Sequence, residues 1–303
     1  MKLLEGKVII VTGAGAGVGR GIAREAARQG AKVIANDLGV KIDGSAASAG
    51  PAKETVDLIV AEGGVAAANT DSVASWESAQ KIVQQAMDLY GRVDGVVNNA
   101  GNLRDVIFHK MSEEEFDAVI AVHLKGSWNV SRAAAPHMKA QEGGAFVHMT
   151  STSGLVGNFG QANYASAKAG LVGLSKSIAV DMKKFNVRSN LIAPFAFTRM
   201  VGSIPTDTPE QKERMKTLRT LEADKIAPFT LALLSDQAKE VSGQIFGVRN
   251  NEIYLFSQPR PIRTAHSGEG WTVQACIDRA IPMFKPSFYP LDLSRDVFNW
   301  DPV

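Results

Sequence analysis

The sequence predicts an α/β fold: a doubly wound parallel sheet with helices on both faces, in a single domain. Short apolar runs alternate along the chain with longer amphipathic segments, and no fixed-period repeat or low-complexity linker divides its 303 residues. The apolar runs lack the polar–apolar alternation of half-exposed strands, which suits strands buried on both faces. Strand–helix alternation of this kind favours parallel strands joined by right-handed crossovers.

Six strands and five helices account for this pattern. Each predicted strand is a short apolar run, and each predicted helix carries apolar residues at helical spacing. Ser112 and Glu115 form a capping box that opens the fourth helix, and Pro194 breaks the pattern after the last strand. The predicted strands are residues 7–11, 31–35, 65–69, 93–97, 145–149 and 187–192, and the predicted helices are residues 19–29, 54–62, 75–90, 112–132 and 163–185.

The predicted boundaries separate a dinucleotide-binding domain from a C-terminal extension. Residues 1–248 would hold the cofactor site and the catalytic residues, and residues 249–303 would pack on the same domain or on a neighbouring subunit. Residues 38–52 are a polar insertion within the domain and not a boundary. Residues 200–225 are a polar stretch that either closes over substrate or is only a pair of surface helices.

Composition excludes several classes of function. The net charge of +2, from 33 Lys+Arg and 31 Asp+Glu, gives no electrostatic basis for binding nucleic acid or an anionic membrane. The single cysteine, Cys276, rules out an intramolecular disulfide and a thiolate metal cage, and it favours a reducing compartment. The histidines show no ligand spacing, and the chain has neither a signal-peptide pattern nor a run long enough for a membrane span. We therefore expect a cytoplasmic protein with no metal site.

A glycine-rich segment between the first strand and the first helix predicts a phosphate-binding loop. Residues 12–19 read Thr-Gly-Ala-Gly-Ala-Gly-Val-Gly, and a pyrophosphate needs backbone N–H groups at a helix N-terminus with no Cβ in the way. The strand before the loop and the helix after it favour a Rossmann-type dinucleotide site over an ordinary tight turn. The residues assigned to the cofactor in this loop are Gly13, Gly17, Val18 and Gly19.

Three further strand ends supply candidate cofactor contacts. Asp37, after the second strand, can accept hydrogen bonds from the adenosine ribose and would repel a 2′-phosphate, so NAD is favoured over NADP unless Asp37 is only a solvated loop residue. Asp71 and Ser72, after the third strand, face an adenine edge or cap the next helix. Residues 98–101, Asn-Asn-Ala-Gly, let a flat ring approach the backbone, or are only a turn. The contacts assigned there are Asn99, Ala100 and Gly101.

Three residues form a candidate acid/base set for alcohol–ketone chemistry. Tyr164 and Lys168 stand one helical turn apart and share a helix face, and Ser151 follows the fifth strand at the edge where open α/β sheets bind ligands. A phenol has a free pKa of about 10, and a nearby ammonium stabilises its phenolate. Ser151 can hydrogen-bond the substrate oxygen as charge develops on it. A Tyr-x-x-x-Lys pair alone is common on helix surfaces, but the other motifs in this order favour the catalytic interpretation.

These combined motifs resemble those of the short-chain dehydrogenase/reductase family over roughly residues 5–247. The resemblance implies that Tyr164 is the general acid/base, that Lys168 holds the nicotinamide ribose and lowers the tyrosine pKa, and that Ser151 orients the substrate. It also implies that Thr198 meets the nicotinamide carboxamide, although Phe195 replaces the usual glycine of that motif. Members of the family commonly form homodimers or homotetramers.

His123 departs from the family pattern. It aligns with a position where most members carry an Asn that helps to order a proton-relay water. A histidine can also hold a water, and a pKa of about 6.5 would let it act as a relay partner. A hydrogen-bonded structural histidine is the alternative.

Three stretches narrow the resemblance to one branch of the family. Residues 35–39, 122–127 and 157–164 are similar to the (3R)-hydroxyacyl-CoA dehydrogenase domain of the peroxisomal multifunctional β-oxidation enzymes and its stand-alone bacterial relatives. This similarity implies NAD-dependent oxidation of a 3-hydroxyacyl-CoA, a sterol-derived ester included. The alternatives are a hydroxysteroid or small-alcohol dehydrogenase and a non-catalytic NAD-binding regulatory module.

The C-terminal extension carries two further candidate features. Arg260 and Arg263 could meet CoA phosphates, and a group of aromatic residues could cover an acyl pocket or a neighbouring subunit. A charged turn and an ordinary packed tail explain the same residues and are favoured. The aromatic residues are Phe284, Phe288, Tyr289, Phe298 and Trp300.

Overall fold

The computed structural model describes residues 2–40, 50–197 and 208–303, and within them one eight-stranded sheet is flanked by helices. The strands are β1 (Val8–Thr12), β2 (Lys32–Asn36), β3 (Val65–Asn69), β4 (Gly95–Asn98), β5 (Gly144–Met149), β6 (Val187–Phe195), β7 (Ile245–Arg249) and β8 (Glu252–Leu255). Their order is β3-β2-β1-β4-β5-β6-β7-β8, with β1 to β7 parallel and β8 antiparallel to β7. The predicted single-domain, doubly wound α/β fold is confirmed.

The helices follow the predicted order, with changes at several ends. They are α1 (Gly17–Arg28), α2 (Gly50–Ala61), α3 (Trp76–Tyr90), α4 (Glu113–Ile120), α5 (Gly126–Ala140), α6 (Thr152–Leu155), α7 (Ala162–Asp181), α8 (Pro209–Arg219) and α9 (Ala227–Leu234). Three short helices, Val273–Ala275, Ile281–Phe284 and Ser294–Val297, lie in the C-terminal extension. In the described part of the chain, no helix is both long and apolar enough to cross a membrane.

The fourth predicted helix is longer than expected and is interrupted. Its capping box is confirmed, because the Ser112 hydroxyl accepts from the Glu115 N–H and the Glu115 carboxylate accepts from the Ser112 N–H. A π-helical turn, Ala121–Lys125, then separates α4 from α5, and the helix continues to Ala140. Such turns often occur at functional sites, and this one carries His123.

The break predicted at Pro194 is wrong, because β6 continues through Pro194 to Phe195. β5 ends where Met149 pairs with Ile192, so Pro194 has a strand partner only in β7, opposite Val248. A proline lacks the N–H that a central strand needs, but it is tolerated where one side of the strand is unpaired. The sequence analysis also did not predict β7 and β8.

Helices bury both faces of the sheet. In β1, Ile9 and Val11 pack into one apolar layer with residues of α1 and α9, whereas Val8 and Ile10 pack into the opposite layer with residues of α3 and α5. Burying an aliphatic side chain of this size contributes roughly 1.5–3 kcal/mol. The two layers therefore fix the strand ends that carry the candidate site.

The C-terminal extension is joined to the sheet through β8 and an aromatic cluster. The Arg249 guanidinium donates to the Trp300 carbonyl and stacks over the Trp300 ring at 5.2 Å, and the Asn251 N–H donates to the Val303 carbonyl at 3.0 Å. These contacts fix the end of the chain beside the carboxyl end of β6. The aromatic cluster consists of Phe195, Tyr254, Phe256, Phe298 and Trp300.

Candidate active site

A cavity of about 1550 Å³ opens at the carboxyl ends of the strands. The chain runs from β1 outward to β3 and then returns to place β4 on the other side of β1, so the loops after β1 and β4 diverge there. In open α/β sheets ligands bind at this reversal of strand order. The loop after β1, the ends of β2 and β4, and the start of α7 all line the same cavity.

The glycine loop has the backbone geometry that a dinucleotide phosphate requires. Gly13 and Gly17 have positive φ angles of 66° and 52°, a region that favours glycine. A Cβ at Gly19 would lie 2.1 Å from the Gly13 carbonyl oxygen, so only glycine lets α1 pack this closely against the loop. Ala16 provides no side-chain cap, which leaves the N–H groups at the start of α1 open to an anion. Val18, also assigned to the cofactor, lines the cavity.

The Asn-Asn-Ala-Gly segment holds the glycine loop in place. The N–H groups of Asn99 and Ala100 donate to the Thr12 hydroxyl at 3.0 and 3.1 Å. The Asn99 side-chain amide donates to the carbonyl oxygens of Thr12 and Gly13 at 3.0 and 3.1 Å. Asn99, Ala100 and Gly101 also line the cavity, so the segment both forms its wall and ties β4 to the loop after β1.

Asp37 lies at the end of β2, where the cavity wall meets the glycine loop. One carboxylate oxygen accepts from the Gly15 N–H at 2.7 Å, and the other accepts from the Gly39 N–H at 2.7 Å. Asp37 lines the cavity together with Asp71 and Ser72. Among the described residues each Asp37 oxygen accepts one hydrogen bond, so the carboxylate can still accept hydrogen bonds from a ligand.

Asp71 and Ser72 also have local roles. The Asp71 carboxylate accepts from the Asn69 side-chain amide at 2.9 Å, and the Ser72 hydroxyl accepts from the Ala74 N–H at 3.3 Å. The helix-capping interpretation of this pair is wrong, because Ser75 is the N-cap of α3 and accepts from the Ser78 N–H. Asp71 and Ser72 order the turn before α3 and line the cavity. Thr198, the remaining residue assigned to the cofactor, lies outside the described residues.

The structure brings Ser151, Tyr164 and Lys168 together on one wall of the cavity. Ser151 is the N-cap of α6, and Tyr164 and Lys168 occupy successive turns of α7. The Lys168 ammonium lies 5.4 Å from the centre of the Tyr164 ring and donates to the Met149 carbonyl. The Ser151 hydroxyl is near enough to the Tyr164 phenol to lower the phenol pKa. A substrate oxygen between Ser151 and Tyr164 would reach a donor on each side.

Burial governs the pKa values of this set. Burial raises the pKa of Tyr164 to about 12, although the Ser151 hydrogen bond lowers it. Burial also lowers the pKa of Lys168 to about 7. The charge of Asp105 also raises the Tyr164 pKa, and the expectation that the Lys168 ammonium lowers it stays a prediction. At neutral pH the phenol is protonated and can donate a proton.

His123 is buried in the π-helical turn behind Tyr164, at 2% exposure. Its Nε2 lies 2.8 Å from the Asn102 carbonyl oxygen and 3.1 Å from the Asn102 backbone nitrogen, whereas Nδ1 has no hydrogen-bond partner among the described residues. Burial, together with the charge of Lys168, lowers the pKa of His123 to about 3. The expectation of a pKa of about 6.5 is wrong, since the ring is neutral across the physiological range.

The sequence analysis missed a chain of hydrogen bonds that begins at Ser151. The Ser151 hydroxyl lies 3.3 Å from the Ser153 hydroxyl, which donates to the Gln161 side-chain oxygen at 2.8 Å. The Gln161 amide nitrogen then donates to the Asp105 carboxylate at 2.7 Å. Asn158 donates to Ser153 at 2.8 Å. These residues line the cavity, and the only signal in the sequence was that Asn158 and Gln161 fall within a stretch already singled out for its resemblance.

The C-terminal extension reaches the cavity with different residues from those expected. Leu293 and Arg295 are the parts of residues 249–303 that line it, whereas Arg260 and Arg263 are not among the described lining residues. The Arg260 guanidinium donates to the Pro259 carbonyl. The proposal of CoA contacts at Arg260 and Arg263 therefore finds no support in the structure, and the favoured alternative of a charged turn fits better.

The sequence model of the short chain dehydrogenase family matches residues 7–209. The chain belongs to this family. Its members are oxidoreductases, and this chain is an enzyme that acts on a CH–OH group.

Three curated relatives show where in the family the chain lies. It is 46% identical over 237 residues to a short-chain type dehydrogenase/reductase of Mycobacterium tuberculosis, covering 78% of this chain and 80% of the relative. It is 45% identical over 240 residues to the peroxisomal hydratase-dehydrogenase-epimerase of Saccharomyces cerevisiae, covering 79% of this chain but only 25% of the relative. It is 38% identical over 281 residues to the hydroxyacyl-CoA dehydrogenase ChsB1 of Mycobacterium tuberculosis, covering 88% and 85% of the two chains.

Two solved structures of dehydrogenases superpose on most of the chain. A short chain dehydrogenase from Mycobacterium avium superposes with a TM-score of 0.82 at 35% identity, covering 95% of this chain and 97% of that one. A 7α-hydroxysteroid dehydrogenase in complex with NADH and 7-oxo glycochenodeoxycholic acid superposes with a TM-score of 0.73 at 33% identity, covering 82% and 94%. The glycines of the loop place no Cβ against a bound phosphate, and the first N–H groups of α1 have no side-chain cap. The loop therefore fits the pyrophosphate of a nicotinamide dinucleotide.

Proposed function

We propose that this short-chain dehydrogenase uses NAD to interconvert a 3-hydroxyacyl-CoA and its 3-oxoacyl-CoA. The observation that carries the proposal is that Ser151, Tyr164 and Lys168 line the same cavity as the glycine loop and Asp37. A proton-transfer group and a dinucleotide cradle are thus adjacent, as coupled proton and hydride transfer requires.

In this proposal each residue of the set has a separate role. The nicotinamide ring supplies the hydride acceptor for oxidation and the hydride donor for reduction. After losing its own proton to solvent, the Tyr164 phenolate takes the hydroxyl proton as the substrate carbinol is oxidised. In the reverse direction the Tyr164 phenol gives its proton to the ketone oxygen. Ser151 hydrogen-bonds the substrate oxygen, where charge develops. Lys168, when protonated, favours the phenolate of Tyr164 and holds the ribose beside it, and His123 supports the Tyr164 ring.

Asp37 supports the choice of NAD over NADP. Its carboxylate is fixed by the Gly15 and Gly39 N–H groups at the cavity wall, where it would repel a ribose 2′-phosphate. The arginines among the described lining residues of the cavity are Arg104 and Arg295, and both lie in segments that contact loop 157–161. Neither lies at the end of β2, where a 2′-phosphate would need a positively charged partner.

The names of relatives support the acyl-CoA substrate. The yeast relative is a hydratase-dehydrogenase-epimerase, and ChsB1 is a hydroxyacyl-CoA dehydrogenase. A hydroxysteroid substrate is the second candidate, favoured by the structural neighbour that binds a 7-oxo steroid and by a cavity of about 1550 Å³.

A substrate panel tests the proposal. Purified protein is given NAD or NADP with a chain-length series of 3-hydroxyacyl-CoA esters, a set of hydroxysteroids and simple secondary alcohols, and the reduced nicotinamide is followed by absorbance. The proposal expects the highest kcat/KM for a 3-hydroxyacyl-CoA with NAD. Higher values for the free steroids would favour the second candidate, and tight NAD binding without any turnover would indicate a regulatory NAD-binding module.

We further propose that the enzyme works as a homodimer or homotetramer in the cytoplasm. Trp128 on α5 and Val180 on α7 expose large apolar side chains on helices that neighbour the catalytic wall, and a second copy would cover them. The single cysteine is in keeping with a reducing compartment. Light scattering coupled to size exclusion measures the oligomer, and cell fractionation with an antibody tests the location.

A further inference from the structure

Two segments that are distant in sequence meet loop 157–161, which lies between Ser151 and Tyr164. The Ser294 N–H and hydroxyl both donate to the Gly157 carbonyl, at 3.0 and 3.1 Å. At the other end of the loop, the Gln161 amide donates to the Asp105 carboxylate at 2.7 Å. The loop is therefore held on one side by the C-terminal extension and on the other by the segment after β4.

Each of these two segments carries an arginine into the cavity wall. Arg295 follows Ser294, and Arg104 precedes Asp105, and both line the cavity. Arg104 and Arg295 therefore belong to the two segments that hold opposite ends of one short loop. That loop lies between Ser151 and Tyr164, which would contact the reacting oxygen of the substrate.

Both guanidinium groups keep most of their donors free among the described residues. In the described part of the chain, the Arg104 side chain has no hydrogen bond or ion pair. Arg295 has a single ion pair, to Asp296 at 3.6 Å, and its side chain remains 64% exposed. The nearby acid, Asp105, already accepts a hydrogen bond from Gln161. A guanidinium has five N–H donors arranged for an oxyanion, so these two arginines retain most of their donors.

We propose that Arg104 and Arg295 form an anion subsite that binds a phosphate or carboxylate of the substrate at a distance from the reacting carbinol. Leu293, beside Arg295 in the cavity wall, provides apolar contact next to the anion. The assignment of the anion to a CoA phosphate rests on the proposed function, whereas a carboxylate on a steroid side chain would use the same chemistry. The two arginines are specificity residues and not catalytic residues.

The test compares a thioester that carries the phosphates of CoA with a shorter thioester that carries none. A 3-hydroxyacyl-CoA carries phosphates, and the N-acetylcysteamine thioester of the same acid carries none. Kinetics are measured with saturating NAD for the wild type and for Arg104→Gln, Arg295→Gln and Arg295→Lys. Arg279→Gln is the matched control, because Arg279 belongs to the same extension but stacks over Trp271 at 5.4 Å and does not line the cavity. Far-UV circular dichroism and thermal melting verify that each variant is folded.

The proposal expects each Arg→Gln change to raise KM for the CoA ester about tenfold, which corresponds to about 1.4 kcal/mol. It expects no change in kcat, in KM for NAD or in KM for the cysteamine ester, with partial retention of affinity in Arg295→Lys. Equal KM values for the two esters in the wild type, or Arg→Gln variants that keep the wild-type preference for the CoA ester, would overturn the subsite while leaving the proposed function intact.

Failure of the proposed function gives a different result. If the wild type oxidises neither thioester but does oxidise steroids, the same variants are compared on a steroid alcohol with a side-chain carboxylate and on its methyl ester. A loss of preference for the carboxylate in both Arg→Gln variants assigns the subsite to that group. Unchanged preference overturns it.

Discussion

The imidazole ring of His123 lies edge-on against the phenol ring of Tyr164, with ring centroids 5.1 Å apart and planes at 87°. The position depends on Gly101, because a Cβ there would lie 2.4 Å from the His123 Cε1. Nε2 is engaged with the Asn102 backbone, so the ring cannot turn freely. The histidine that replaces the family's usual asparagine therefore fixes the Tyr164 ring from behind. This wall is assembled from β4, the π-helical turn and α7.

Two buried histidines make stability depend on pH. Burial, with the charge of Lys168, lowers the pKa of both His123 and His148 to about 3. The unfolded chain binds protons below about pH 6.5 and the folded chain does not, so the free energy of unfolding falls as pH drops from 6.5 toward 3. Between pH 7 and pH 5 we expect a loss of about 4 kcal/mol, about 2 kcal/mol from each histidine, measured by urea unfolding.

A variant separates this effect from general acid unfolding. His148→Gln should reduce the pH dependence between pH 7 and pH 5, whatever its effect on stability at pH 7. His109→Gln is the control, because His109 is exposed and should leave the pH dependence unchanged. Identical pH dependence in wild type and His148→Gln would contradict the assignment.

The hydrogen-bond chain from Ser151 to Asp105 should affect turnover more than binding. Ser153 donates to Gln161 and is 3.3 Å from the Ser151 hydroxyl, so it can set the direction of that hydroxyl. We expect Ser153→Ala to lower kcat about tenfold with little change in KM for substrate or NAD. Ser153→Thr keeps the hydroxyl and should restore most of the rate. A variant that changes KM alone would show that the chain only shapes the cavity.

Replacing Asp37 should alter the choice of cofactor. Asp37→Asn keeps an acceptor for the backbone N–H groups of the loop but removes the negative charge that would repel a 2′-phosphate. We expect kcat/KM with NAD to fall about tenfold and the value with NADP to rise. Asp57→Asn is the control, because Asp57 is an exposed acid on α2 that pairs with Lys53. An unchanged NAD-to-NADP ratio in Asp37→Asn would show that the ribose contact is assigned wrongly.

Local patterns predicted the fold and the placement of the main site residues because each depends on nearby sequence. The spacing of Tyr164 and Lys168 needs only a helix, and the glycine loop needs only a strand before it and a helix after it. The carboxyl ends of parallel strands lie at one edge of the sheet, so no further information was needed to predict that these residues lie near each other. The predicted end of the last strand came too early for a different reason. Whether a strand tolerates Pro194 depends on which neighbouring strand has already ended, and the local sequence does not show this.

Contacts between distant segments could not be predicted in this way. Ser294 bonds to Gly157 across 137 positions, and nothing near either residue indicates the other. From the sequence, anion contacts in the extension were considered only at Arg260 and Arg263, where a charged turn was favoured, whereas the fold brings Arg295 to the cavity. The pKa values of Tyr164 and Lys168 could not be predicted for the same reason, because the burial that shifts them arises only in the assembled core.

The most direct test of the account is the rate of NADH formation from a 3-hydroxyacyl-CoA by Tyr164→Phe. The variant keeps the ring that packs against His123 and loses only the hydroxyl that moves the proton. We predict that kcat falls by about 10³-fold or more while the Kd for NAD, from fluorescence titration, stays within about twofold of the wild type. A variant that binds NAD normally and keeps at least about a tenth of the wild-type kcat would contradict proton transfer by Tyr164.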